Sequence, residues 1–276
     1  MAITQAVAGF DGGVTYWTLS GAGTPRAALL EELKSSGLGD FCPREPTPEW
    51  CVQKALSRLY EGVECLVRPL AARDGFSLVV ERRGVDENAY HQRLAVKVAD
   101  DGSTSFHPEG MKPAGWDANL AEIRATTPAS KLGMALTSLV YKLGGVALRK
   151  SGGVYWLPRD AMPTWRSMAR AVVRASGGRN VVYVIKHRMD EGAMRAVRDA
   201  VVEDVGREVE GIYEQVVSGG LGEKALRKRV ERAACLAKQV ENYERYIHSS
   251  LDSLRGSLAK LETALVSGRF QAVGSA

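Results

Sequence analysis

Apolar residues return every seven positions between 226 and 265, in two interleaved series. Leu226, Ala233, Val240, Ile247, Leu254 and Leu261 form one, and Val230, Ala237, Glu244, Leu251, Leu258 and Leu265 form the other. Eleven of these twelve are apolar over nearly six heptads, and a seam kept that long demands a helix whose stripe meets another helix. At 1.5 Å per residue it spans about 60 Å. Upstream, Met194, Val197, Val201, Val205, Val209, Ile212 and Val216 keep a helical spacing until Ser218-Gly219-Gly220 breaks it. Residues 189–276 are therefore expected to form a long helical hairpin or coiled coil, its acidic first helix antiparallel to its basic second. Glu244 in the seam disfavours a fully buried parallel dimer unless it is paired or at the edge. Self-association or a protein partner through helices 190–270 is weighed equally with a hairpin packing only on itself.

A period of two governs the run ECLVRPLAARDGFSLVVERRGVDENAYHQRLAVKVADDGSTSFHP. Asp74-Gly75, the polar stretch 84–88 and Asp101-Gly102 interrupt it where tight turns belong, which predicts three or four strands in an antiparallel meander. Before it, Thr24-Pro25 opens a helix through about 34 and Thr47-Pro48 opens another through 59. Threonine caps such a helix, and the fixed φ of proline suits its first position. The opening AGFDGGVTYWTLSGAG reads as a short strand pair turning at Gly12-Gly13.

Past the turn-rich HPEGMKPAGWDANL, a short helix is expected near 117–125 and a better one over 128–143, with Thr127 as its N-cap and Gly144-Gly145 as its stop. Leu132, Leu136, Leu139, Val140 and Leu143 make its apolar stripe, with Lys131, Ala135, Ser138 and Lys142 opposite. Strands at 146–150 and 154–157 flank Ser151-Gly152-Gly153, a hairpin signal. Helix, glycine turn and hairpin in that order end a winged-helix domain. A helix over 160–176 and a strand over 180–187 follow. The expected fold class is α+β in three portions: an antiparallel sheet with helices over 1–115, a basic winged-helix-like portion over 116–188, and the helical hairpin or coiled coil over 189–276.

The net charge of +5 hides a strong asymmetry. Residues 131–188 hold 11 Lys or Arg against the single acid Asp160, whereas 1–130 hold 13 against 17 and 189–217 hold 3 against 8. Self-repulsion makes such a segment costly unless an anion meets it. Nucleic acid, an anionic membrane surface and the chain's own acidic helix are the candidates. No apolar run approaches the ~20 residues of a membrane span, and MAITQAVAGFDGG lacks the basic and apolar regions of a secretory signal. A cytoplasmic protein without a membrane partner is expected.

Phosphates need Lys and Arg spread over one surface, and aromatics among them can stack on bases. Tyr141, Tyr155, Trp156, Trp165 and Tyr183 are interleaved in this way. In a winged-helix arrangement Lys131, Ser138 and Lys142 face the groove, and Arg149 and Lys150 reach phosphates from the wing. Arg166, Arg170 and Arg174, at i, i+4 and i+8, share one helix face. The expected nucleic-acid surface is thus Lys131, Lys142, Arg149, Lys150, Arg166, Arg170, Arg174 and Trp156, with DNA and RNA undistinguished. The alternative is a structural or interaction protein whose basic segment binds an acidic partner, or whose arginines pair with the acidic helix over 190–217.

No catalytic residue, metal or cofactor is expected. His91, His107, His187 and His248 lack metal-ligand spacing, and Cys42, Cys51, Cys65 and Cys235 form no CxxC and read as reduced thiols. GxSxG, HExxH, GxxxxGK[ST] and a GxGxxG in a βαβ frame are absent. An unfamiliar active site would need scattered carboxylates such as Asp11, Glu31 and Glu64 to converge.

The stretch SGGVYWLPRDAMPTW resembles an uncharacterised family carried mainly by bacterial phages and plasmids. Its hairpin has the form R-x-S-G-G-V-Y-[FW]-[VLI]-P, met here by Arg149, Ser151, Gly152, Gly153, Val154, Tyr155, Trp156, Leu157 and Pro158. The resemblance covers 128–190, and beyond that only the order of elements. It implies a mobile-element origin, in a bacterial or infected host cell, and brings no activity, cofactor or catalytic residue with it. The function expected is that of a non-enzymatic accessory protein.

Overall fold

A computed structural model describes residues 12–83, 88–149, 152–188, 190–247 and 249–274. The chain forms two compact units, one of Ser20–Leu132 and one of Met1–Leu19 with Gly133–Ala276. They are not the three consecutive portions expected, because the first strand, Gly12–Thr18 (β1), joins residues from the second half of the chain.

In the unit of Ser20–Leu132, Thr24–Pro25 is a short strand (β2) ahead of the helix Arg26–Ser35 (α1). Pro48–Leu59 (α2) begins as expected, the Thr47 hydroxyl accepting the Trp50 N–H at 3.3 Å. Cys65–Pro69 (β3), Gly75–Arg83 (β4), Asn88–Val98 (β5) and Thr104–His107 (β6) form the antiparallel meander in chain order. Alternation puts Leu78, Leu94 and Val96 in the core with Cys51, Val52, Ala55 and Leu56 of α2. Trp116, Leu120 and Ile123 of the helix Trp116–Ala125 (α3) complete that core. Thr126–Thr127 (β7) pairs with β2. Thr127 is therefore a buried strand residue rather than an N-cap, and its hydroxyl has no partner among the described residues.

The division between units falls within the helix Ala129–Lys142 (α4). Leu132, Leu136, Leu139 and Val140 are buried as the stripe requires. In the other unit, Val146–Ala147 (β8), Tyr155–Pro158 (β9) and Val181–His187 (β10) join β1 in an antiparallel sheet of order β10-β1-β9-β8. β8 and β9 pair antiparallel as expected, with residues 150 and 151 of the expected hairpin outside the described residues, but β9 is an interior strand between β1 and β8 rather than part of a free wing. Gly12 and Gly13 lie inside β1, not at a turn. A Cβ on Gly12 would stand 2.5 Å from the Leu157 carbonyl oxygen, and one on Gly13 2.7 Å from Met162 Cε. The strand before that supposed turn lies outside the described residues.

One face of this sheet, with Val14, Trp156 and Val146, joins the core of a helical bundle. Glu191–Val217 (α6), Glu223–Ile247 (α7) and Asp252–Gly274 (α8) each pack on the other two. The single 60 Å helix expected from the heptads is thus two helices, reversed after Ile247. Glu244 makes the reversal: its carboxylate accepts the Leu251 N–H at 2.8 Å and binds the Arg255 guanidinium, whose Nε stands at 2.8 Å. The seam residues are nonetheless inside. All six of the first series are buried, as are Leu251, Leu258 and Leu265 of the second. Among the described residues no helix is long and apolar enough to cross a membrane.

Candidate nucleic-acid interface

The helix Met162–Ala175 (α5) carries three of the expected cations, and its sequence dictates which way they point. Pro163 stands in its first turn, and Met162, Trp165, Met168, Ala169, Ala171, Val172 and Ala175 are buried. That broad apolar face leaves Arg170 and Arg174 exposed and Arg166 half-buried on the opposite side. Two hydrogen bonds pin the helix to the sheet. The Trp165 indole N–H donates to Thr15 Oγ1 at 2.9 Å, and the Thr15 hydroxyl donates to the Tyr183 carbonyl at 2.7 Å. Arg174 in the last turn complements the negative end of the helix dipole.

Gly177 and Gly178, with φ of 61° and 82°, end α5 by a left-handed turn. The Ser176 hydroxyl then accepts the Asn180 N–H at 2.9 Å, and Arg179 Nε donates to the Ser176 carbonyl at 3.0 Å. The connection into β10 is fixed, with Arg179 exposed at the start of the strand and Arg188 exposed beyond its end. From 161 to 189 the chain has six Lys or Arg and no Asp or Glu. The cations of this stretch are thus spread over the outer face of α5 and the two ends of β10.

Within the same unit, the other expected residues that are described are not gathered there. Lys131 belongs to the unit of Ser20–Leu132. Lys142, exposed at the end of α4, lines a cleft of about 390 Å³ with Asp160 and with Lys238, Asn242 and Tyr246 of α7. Arg149 lines a second cleft, of about 430 Å³, with Asp199, Glu203 and Asp204 of α6. It faces the chain's own acidic helix. Lys150 lies outside the described residues. Trp156 is only 1% exposed, buried against the bundle with Tyr246 edge-on at 5.9 Å. Its placement among base-contacting residues is corrected: the helical bundle packed on that face of the sheet leaves its ring no surface for a base.

The acids of α6 meet nearby arginines. Glu203 and Asp204 contact Arg207 at 3.0 and 3.9 Å, and Glu208 grips Arg232 of α7 through both oxygens at 2.6 Å. In the two clefts, burial and the Asp204 carboxylate push the Tyr141 phenol up to about 12, and burial with the bond to Asp160 does the same for Tyr246. Both phenols are neutral donors at physiological pH, far from the range of a general acid or base. Among the described residues no three of His, Cys, Asp or Glu gather as metal ligands.

On the sheet face opposite α5, β10 presents Val181, Tyr183 and Ile185, exposed by 36, 42 and 54%. Tyr183 stands beside Tyr16 of β1 in register, the rings stacked 4.5 Å apart at 16°. Sequence reasoning noted Tyr183 only as an interleaved aromatic and did not single out Tyr16, Ile185, Arg179, Lys186 or Arg188. The alternation in VVYVIKH shows which residues share a face. It carries no mark that β10 is an edge.

The model of a family of unknown function (DUF6744) matches residues 12–270. The chain belongs to this family. The matched span of this DUF6744 chain takes in both units, so the α5–β10 side and the helical bundle are parts of one family architecture. No curated protein and no solved structure matches the chain.

Proposed function

We propose that this protein is a non-enzymatic nucleic-acid-binding accessory protein that contacts phosphates through the α5–β10 side of its sheet. The observation that carries this reading is the six cations and no acid of residues 161–189, with Arg166, Arg170 and Arg174 on the face of α5 turned away from its core. A polyanion relieves the self-repulsion of such a surface and releases counterions as it binds. Lys142 and Arg149 are not part of the surface, because each lines a cleft against the bundle. The heptad seam takes no part either, since its apolar residues are spent inside the three-helix bundle.

The test is binding of labelled DNA and RNA at two or more salt concentrations. With n phosphates neutralised on a duplex, log K falls against log salt with a slope of about −0.9n, and a slope of roughly −3 or steeper is expected. Absence of binding to either polymer at low salt overturns the reading.

A further inference from the structure

We infer that the nucleic acid taken by this surface is single-stranded, and that one of its bases stacks on the outer ring face of Tyr183 at the edge that β10 forms among the described residues. The inference rests on the phosphate-binding role proposed above and adds the form of the ligand.

The geometry begins with register. Tyr16 and Tyr183 are directly opposed on β1 and β10, and their 4.5 Å centroid separation is close to the strand spacing of ~4.8 Å. The two rings therefore stack across the strands, along the direction in which the sheet grows. β10 ends the sheet, and among the described residues it pairs with β1 alone. Tyr183 is the outer member of the stack: one ring face is covered by Tyr16 and the other looks past the edge. A flat ring arriving there extends a stack that has already begun. Val181 and Ile185 lie on the same face two residues to either side, and offer apolar contact to the ribose or neighbouring bases.

Charge identifies the ring's source. Arg179 lies two residues before β10 and Arg188 one residue after it, the seven extended residues between spanning about 20 Å, and Lys186 lies on the α5 side of the strand. A strand of nucleic acid running along this edge places phosphates near those cations and a base on Tyr183. In a duplex both faces of each base are occupied by its neighbours, so only an unstacked base reaches the tyrosine. A second copy of the chain, adding its own β10 edge to edge, is the competing occupant. It would set the cations that flank one β10 beside those that flank the other, which electrostatics opposes.

The experiment compares the full chain with Tyr183→Ala, Tyr183→Phe and a double variant, Arg170→Glu with Arg174→Glu. Fluorescence anisotropy reads binding to an oligothymidylate of about 15 nucleotides and to a duplex of similar length, while light scattering gives the mass of each protein. Tyr183→Ala is expected to weaken oligothymidylate binding roughly 5- to 150-fold, the range of one lost base stack, and to leave duplex binding unchanged. Tyr183→Phe keeps the ring and the affinity. If Tyr183→Ala binds oligothymidylate as the parent does while the double variant loses it, the stacking inference is overturned and the phosphate-binding role survives. If the parent binds neither polymer, the underlying role fails. A dimeric parent that Tyr183→Ala converts to a monomer, with oligothymidylate affinity unaltered, makes the edge an interface between copies and also overturns the inference.

Discussion

The indole N–H of Trp165 donates to the hydroxyl of Thr15 at 2.9 Å, deep between α5 and the sheet. The Thr15 hydroxyl in turn donates to the carbonyl of Tyr183 at 2.7 Å. The helix that carries the arginines and the strand that carries the exposed tyrosine are thereby held to the same residue of β1. Removing the relay at its centre should be costly. Thr15→Val keeps the volume but leaves a buried indole N–H unpaired, a loss of about 1–3 kcal/mol. Urea unfolding should show a lower midpoint with an unchanged slope; a midpoint equal to the parent's would show that the relay carries no stability.

Arg170 and Arg174 are exposed, so their truncation should leave the fold intact. If both meet phosphates, the variant with Arg170→Ala and Arg174→Ala should lower the magnitude of the salt slope on an oligothymidylate by about 1.4, at roughly 0.7 per phosphate contact on a single strand. An unaltered slope would remove α5 from the interface.

Glu244 gives the bundle an acid-sensitive turn. The bond from Arg255, then that from the Leu251 N–H, holds its carboxyl down at about 2, against 4.5 for the free group. Between those values the unfolded chain binds more protons than the folded one. Stability is therefore fully present above about 4.5 and falls as pH drops toward 2. Glu244→Gln should flatten that acid limb in a series of denaturation curves, and a limb of the same steepness in both proteins would place the loss elsewhere.

Leu261 is fully buried in the bundle of its own chain. Leu261→Ala should cost about 2–5 kcal/mol in unfolding free energy while the mass from light scattering stays the same. A change in oligomeric state would instead show that the seam joins separate chains.

Much of the fold is legible in the residues because it depends on short-range patterns. The meander follows from alternation and from Asp74-Gly75 and Asp101-Gly102, and α2 from the cap and proline of Thr47-Pro48. The heptads name the buried positions of α7 and α8 correctly, since a stripe is buried whether its helix is one piece or two. They do not show that Glu244, the polar exception, anchors a reversal through Leu251 and Arg255.

The candidate surface is legible only in part. The face shared by Arg166, Arg170 and Arg174 follows from helical spacing and from the width of the apolar face beside it. That Lys142 and Arg149 line clefts against the bundle does not, because no local pattern tells a surface cation from one beside a distant acid.

Local chemistry in the chain set where helices and strands begin and end, which of their faces are apolar, and how densely cations crowd 161–189. Tertiary structure alone decided that β1 crosses to lie between β9 and β10, which buries Trp156, makes Gly12 necessary and leaves Tyr183 on the strand that ends the sheet among the described residues. The reason is physical: strand pairing joins residues far apart in sequence through backbone groups that every residue carries, so side-chain pattern shows that a strand exists and not which neighbour it takes.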